Sequence, residues 1–242
     1  PTSLPVHFNT YFDNSSQTKN INNLFANTDV FNSASVTGWN LSGVKELAGT
    51  FRNAKKFNQD ISNWDVSYAT NLSDMFKGAL EFNQNINSWT TSGVVDMQGM
   101  FSDAKSFNQS LNSWDTTSCK YMSHMFECPN YTGVFNGSIS NWNMSGVLDT
   151  SFMFSSADAF NQPISGWNTV TIQRMDNMFD QAVAFDQDIY TWNMSGCLSA
   201  NNFMSSYSTS KYDAALNAWN VSSNNKGFVI TDVELSESGG AF

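Results

Sequence analysis

Few residues in this chain could make or break bonds. His7 and His124 are the only two histidines in 242 residues, they stand far apart, and no serine or cysteine is tied to either by a nucleophile motif. Catalysis is not expected. Three cysteines, Cys119, Cys128 and Cys197, are too few for a disulfide framework. Cys119 and Cys197 each follow a tryptophan by five residues, a place taken elsewhere by Val44, Ala69, Val94, Val147 and Ile172. They are expected as small buried apolar residues, too distant from each other to bridge. Free thiols are the expectation, with a Cys119–Cys128 bond as the alternative. Asp60, Asp65, Asp186 and Asp188 could attract calcium, but neither an EF-hand nor a nonapeptide calcium loop is present. A solvated acidic face is expected, with no metal and no cofactor.

Asparagine offers another chemistry. Nine Asn-x-Ser/Thr sequons occur, at Asn14, Asn40, Asn71, Asn108, Asn130, Asn136, Asn143, Asn193 and Asn220. Four of them, Asn40, Asn143, Asn193 and Asn220, directly follow a tryptophan. With Asn130 they are the candidate N-glycosylation sites, on condition that the source has a eukaryotic secretory route.

What must position these residues is a tandem repeat. MFKGALEFNQNINSW at 75–89 returns as MFSDAKSFNQSLNSW at 100–114. The eight tryptophans, Trp39, Trp64, Trp89, Trp114, Trp142, Trp167, Trp192 and Trp219, are separated by steps of 25, 25, 25, 28, 25, 25 and 27. Two phenylalanine series keep phase with them: Phe51, Phe76, Phe101, Phe126, Phe154 and Phe179, then Phe57, Phe82, Phe107, Phe135, Phe160 and Phe185. Fixed periods in this range signal a solenoid, propeller or array, so one elongated body is expected rather than two globular domains.

Composition narrows the partners. The formal net charge is −10 with 11 scattered Lys and Arg, which argues against nucleic acid, since phosphate binding needs a basic stripe. Only 13% of residues are charged, so Asn, Ser and Thr must cover most of the surface, a composition common in secreted wall and surface proteins. No apolar run is long enough to span a bilayer. The start at Pro1 fits a processed mature chain or an excised fragment, and leaves secretion open.

Each repeat has two halves. In FNQNINSW the apolar residues Phe82, Ile86 and Trp89 frame a polar run, and one short parallel strand per coil is expected there. In the other half, Ala69, Leu72, Met75, Phe76 and Ala79 follow a spacing of threes and ones that predicts a short α or 3-10 helix. Ser42, Ser67, Ser92, Thr117, Ser145, Ser195 and Ser222 would be its N-caps, and only Val170 departs. The division expected is an N-terminal cap at 1–23, repeats at 24–222 with an outward bulge between 126 and 135, and a C-terminal cap or tail at 223–242.

The pattern L-x-x-M-F-x-x-A-x-x-F-N-Q-x-I-x-x-W-x-V-S, fullest in Leu72 to Trp89 and in FNQDISNWDVS at 57–67, resembles the 25-residue repeat of BspA-like leucine-rich-repeat surface proteins, found also in mycoplasma-type surface lipoproteins. The resemblance covers about residues 24 to 222. It implies an α/β repeat, a right-handed leucine-rich-repeat-like solenoid of about eight coils. It also implies extracellular or cell-surface display, a role in adhesion or binding, and no catalytic residues.

Two series of residues can be weighed as sites. Asn58, Asn83, Asn108, Asn136 and Asn161, with Asp186 and Asp213 after them, follow the second phenylalanine series. They form either a polar binding strip or an internal ladder, and the ladder is favoured because binding surfaces vary between coils where scaffolds repeat. The glutamines beside them, such as Gln84, fit either role. The tryptophans, if exposed, would suit sugars; their regular spacing favours a packed spine. Met75, Met100, Met125, Met153 and Met178 are expected as core filler. The function expected is non-enzymatic, either binding a protein or glycan at a cell surface or joining copies of itself into a fibre or coat.

Overall fold

The structure, a computed structural model, describes residues 19–205 and 209–222. Most of the expected N-terminal cap and all of the C-terminal one, with Asn14 and His7, lie outside the described residues. Successive repeats lie side by side. Strand β1 (Lys19–Asn20) pairs in parallel with β2 (Val44–Glu46), and from there a single parallel bridge per repeat continues through Glu46, Asn71, Asp96, Tyr121, Asp149, Arg174 and Ser199. Each bridging residue follows a tryptophan by seven places. The parallel pairing among the described residues therefore falls beyond the tryptophan, not in FNQNINSW where a strand was expected.

The segment expected to be helical is a chain of turns. The Met75 N–H bonds the Leu72 carbonyl at 3.2 Å and the Ala79 N–H bonds the Phe76 carbonyl at 3.0 Å. The third residues of these turns, Asp74 and Gly78, have φ of 53° and 67°, which makes both turns type II. Between them the N–H groups of Leu72, Asp74, Phe76 and Gly78 reach across to the carbonyls of Asp96, Gln98, Met100 and Ser102 at 2.8–2.9 Å. Each backbone donor thus serves alternately its own repeat and the next. Turns closed over three residues generate the same three-residue apolar spacing as a helix, which is why periodicity alone could not separate them.

The expected N-cap hydroxyls also act differently. Their backbone N–H groups are donors: Ser42, Ser67, Thr117, Ser145 and Ser195 each bond Oδ1 of the Asn or Asp two residues earlier. These are Asx turns, in which the short side chain imitates a backbone carbonyl.

The left-handed residues recur through the array, at Asn23 and Asn27, Gly49 and Asn53, Gly99 and Asp103, and onward to Asn177 and Gln181. Asn, Asp and Gly tolerate this region best. At Gly99 the requirement is doubled, because a Cβ would run into Oδ1 of Asp74 from the preceding repeat. Gly99→Ala is therefore expected to cost about 1–2 kcal/mol, most of it backbone strain since Asp74 can swing aside; urea denaturation with an unchanged m-value would check it.

The core runs as columns along the stack. Phe51, Phe76, Phe101, Phe126, Phe154 and Phe179 lie 5.4–5.8 Å apart ring to ring. A second column, from Phe31 through Phe57 and Phe82 to Phe185, keeps 5.9–6.0 Å. The columns touch within each repeat, Phe76 to Phe82 at 3.9 Å for example. Met75, Met100, Met125, Met153 and Met178 are fully buried beside them.

Two places break the regularity. At the three-residue insertion, Cys128 N–H still reaches Ser155 O at 3.0 Å, while Asn130 and Tyr131 stay exposed and the Lys105 ammonium lies over the Tyr131 ring. At the end, the expected last coil is instead a helix, α1 (Thr209–Ser222). Its run KYDAALNA is rich in helix formers, three alanines among them. α1 buries Ala215 and Trp219 against the last repeat.

Candidate functional site

Each of the tryptophans from Trp64 to Trp192 is at most 3% exposed. Parallel stacking is seen between Trp39 and Trp64 at 6.1 Å, between Trp89 and Trp114 at 6.3 Å, and onward to Trp192. The spacing is that of offset stacking. Their indole N–H groups are spent on the scaffold: Trp64, Trp89, Trp114, Trp142, Trp167 and Trp192 donate to the carbonyls of Val36, Ile61, Ile86, Leu111, Ile139 and Ile164 at 2.8–3.4 Å. Trp39 is half-buried at the start of the series. Trp219 belongs to α1, tilts 59° to Phe203 and has no acceptor among the described residues for its buried Nε1–H.

The asparagines form a chain of acceptors. Oδ1 of Asn58 takes the backbone N–H of Asn83 at 3.0 Å, Asn83 that of Asn108, Asn108 that of Asn136, Asn136 that of Asn161, and Asn161 that of Asp186. Gln84, Gln109 and Gln187 add a bond from Nε2 to the same oxygens at 2.8–2.9 Å. The side chains lie half-buried or exposed rather than in the core, at the rim where the chain leaves the phenylalanine column. Asp213, on α1, is exposed.

Three buried threonines escaped sequence reasoning. Thr91, Thr116 and Thr169 replace the apolar residue two places after tryptophan, and their Oγ1–H groups donate to the carbonyls of Asp115, Asn143 and Asn193. The available signal was the recurrence of threonine at an otherwise apolar place.

All three cysteines are free thiols. Burial pushes Cys119 and Cys128 up to about 12 and Cys197 to about 11. Because the thiolate is the reactive form, native protein at pH 8 is expected to resist alkylation, with half-buried Cys197 modified ahead of buried Cys119. Mass spectrometry of timed iodoacetamide quenches checks the order.

His124 has Nδ1 2.8 Å from Oε2 of Glu127 and its ring stacks on Phe152 at 4.7 Å. Both lie beside a small depression with Asp74, Lys77 and Gln98. Among the described residues no group of three His, Cys, Asp or Glu is placed to hold a metal ion. Asp60, Asp65, Asp186 and Asp188 are each exposed.

Among the sequons, Asn40, Asn143 and Asn193 are exposed and shaped as Asx turns, with Oδ1 on the N–H of Ser42, Ser145 and Ser195 at 2.9 Å. Asn130 is exposed on the bulge and bonds Asp103 through Nδ2. The side chain of Asn220 lies outside the described residues. Asn108 and Asn136 have their amide oxygens engaged in the rim chain.

The surface also carries an open depression of about 800 Å³. It crosses three repeats between Asp60 and Asp115 and is lined by Asn85, Thr90 and Ser92, with Trp89 at its floor. No helix among the described residues is long and apolar enough to cross a membrane.

Comparison with known proteins adds a family. No curated protein and no solved structure matches the chain. A family model matches twice in succession, over residues 19–132 and 128–229, covering nearly all of the stacked repeats. The chain belongs to the family described as Mycoplasma protein of unknown function, DUF285.

Proposed function

We propose that the chain is a non-enzymatic repeat protein of the BspA-like type, displayed outside the cell or at its surface, whose stacked repeats form a right-handed leucine-rich-repeat-like solenoid that binds a protein or glycan. One observation carries the binding role: the residues that recur pack or bond neighbouring repeats together or close local turns, while the positions along the parallel bridges differ from repeat to repeat. Indoles, phenyl rings and rim asparagines hold neighbouring repeats together. By contrast, the face along the parallel bridges carries in turn Lys45, Thr70, Val95, Lys120, Leu148, Gln173 and Leu198. Of these Leu198 is 77% exposed, and Tyr121, beside Lys120, is 45% exposed. A constant frame with a variable exposed face is what repeat proteins use to recognise partners, and exposed aromatic and aliphatic side chains among polar ones supply anchors.

The test is binding of the purified chain to cultured cells, matrix proteins and a glycan panel by biolayer interferometry. Saturable binding that drops with Tyr121→Ser and Leu198→Ser, at unchanged melting temperature, supports the role. No binding, together with a mass that grows with concentration in light scattering, would point to a self-assembling fibre or coat instead.

A further inference from the structure

We propose that the depression around Thr90 is a binding site for a short amino-sugar oligomer, a ligand with many hydroxyls and protonated amines. This rests on the reading of the chain as a surface binding protein and narrows it to one ligand class.

The site is an irregularity in an otherwise repeated scaffold. The residue after tryptophan is Asn40, Asp65, Asp115, Asn143, Asn168 or Asn193, and each closes an Asx turn on the N–H two places ahead. Only one repeat between these breaks the column: Thr90 has no side-chain carbonyl to offer, and Ser92 N–H donates no such bond. The depression opens there, and it exposes an amide donor and two hydroxyls, from Thr90 and Ser92, where neighbouring repeats present a closed turn.

Charge and polarity choose the ligand. The rims carry carboxylates at Asp60 and Asp115, and among the described residues no Lys, Arg or His lines the depression. Bonds from the Ser62 backbone and hydroxyl hold the Asp60 carboxyl below its ordinary range, and those from the Thr117 hydroxyl and backbone do the same for Asp115, so both stay ionised in mildly acidic solution. Ser62 and Thr117 occupy one oxygen of each carboxylate, and the other is the acceptor offered to a ligand ammonium. Asn85 adds an amide. Trp89 is 3% exposed with its N–H committed to Ile61, so it contributes an apolar edge and no stacking face. Phosphates and acidic sugars would be repelled. A basic peptide would meet the charge but find no apolar pocket for its side chains, whereas a polyhydroxylated amine can use the hydroxyls, amides and carboxylates together.

The experiment is calorimetric titration of the full chain with glucosamine hexamer, N-acetylglucosamine hexamer, cellohexaose and hexalysine. The glucosamine hexamer is expected to bind, about tenfold or more tighter than the other two sugars, and to lose about tenfold or more with Asp60→Asn plus Asp115→Asn. Thr90→Asn decides between site and surface charge, because it restores the turn made by neighbouring repeats, fills the depression and leaves net charge unchanged. Loss of binding in Thr90→Asn at an unchanged melting temperature supports the site. Binding that survives Thr90→Asn, cellohexaose binding as tightly, hexalysine competing equally, or no sugar bound at all would overturn it. A Thr90→Asn chain that still adheres to cells when no sugar binds the parent fails this inference alone, and leaves the surface-binding reading standing.

Discussion

Trp114→Ala is expected to remove about 3–5 kcal/mol, the range for truncating a large buried aromatic. Three losses meet at this residue. Its indole stacks on Trp89 at 6.3 Å and on Trp142 at 6.4 Å, so a cavity forms in the middle of the column. It also packs 6.3 Å from Phe101, and the Ile86 carbonyl loses its donor. In a stack each repeat contacts only its neighbours, so a defect at the centre weakens two interfaces and can split cooperative unfolding. Trp114→Phe keeps part of the stacking and loses the hydrogen bond, and should fall between. Thermal unfolding followed by circular dichroism would show a lowered and broadened transition for Trp114→Ala. Retention of the parent transition would mean that the indole is not buried between its neighbours.

The rim asparagines allow a sharper chemical test. Oδ1 of Asn83 accepts both the Asn108 N–H at 3.0 Å and the Gln109 Nε2–H at 2.9 Å. Asn83→Ala strands both donors, and about 2–3 kcal/mol is expected from two bonds at roughly 1 kcal/mol each plus imperfect resolvation. Asn83→Asp keeps an acceptor at the same place and should cost less than half as much. Chemical denaturation of the pair checks this. Equal losses would show that the amide nitrogen, not the oxygen, holds the rim.

What could be read from the sequence was set by period. Residues separated by 25 come to equivalent places when repeats lie side by side, so the spacing of Trp64, Trp89 and Trp114 already marks which side chains meet. The backbone path between them was not legible. Leu72, Met75, Phe76 and Ala79 obey a helical spacing, but Asp74 and Gly78 sit in the left-handed region and direct alternate N–H groups to the next repeat. Small polar residues or glycine at two places four apart, as in Gly49 with Asn53 and Gly99 with Asp103, were the sequence signal for paired turns. Ser67 and its equivalents likewise looked like caps because hydroxyl residues favour that role, whereas the structure-making atom is the Oδ1 two residues before. The depression at Thr90 depends on one missing carbonyl in a column of Asx turns, and that column is visible only once the turns themselves are known.

Indole N–H groups are locked to the preceding repeat, and native-state hydrogen exchange of the Nε1–H resonances reads that locking residue by residue. Trp64, Trp89, Trp114, Trp142, Trp167 and Trp192 are expected to exchange slowly, through opening of the stack, with Trp219, which has no acceptor among the described residues, exchanging ahead of them. Exchange of those six indoles at the rate of free tryptophan would contradict it.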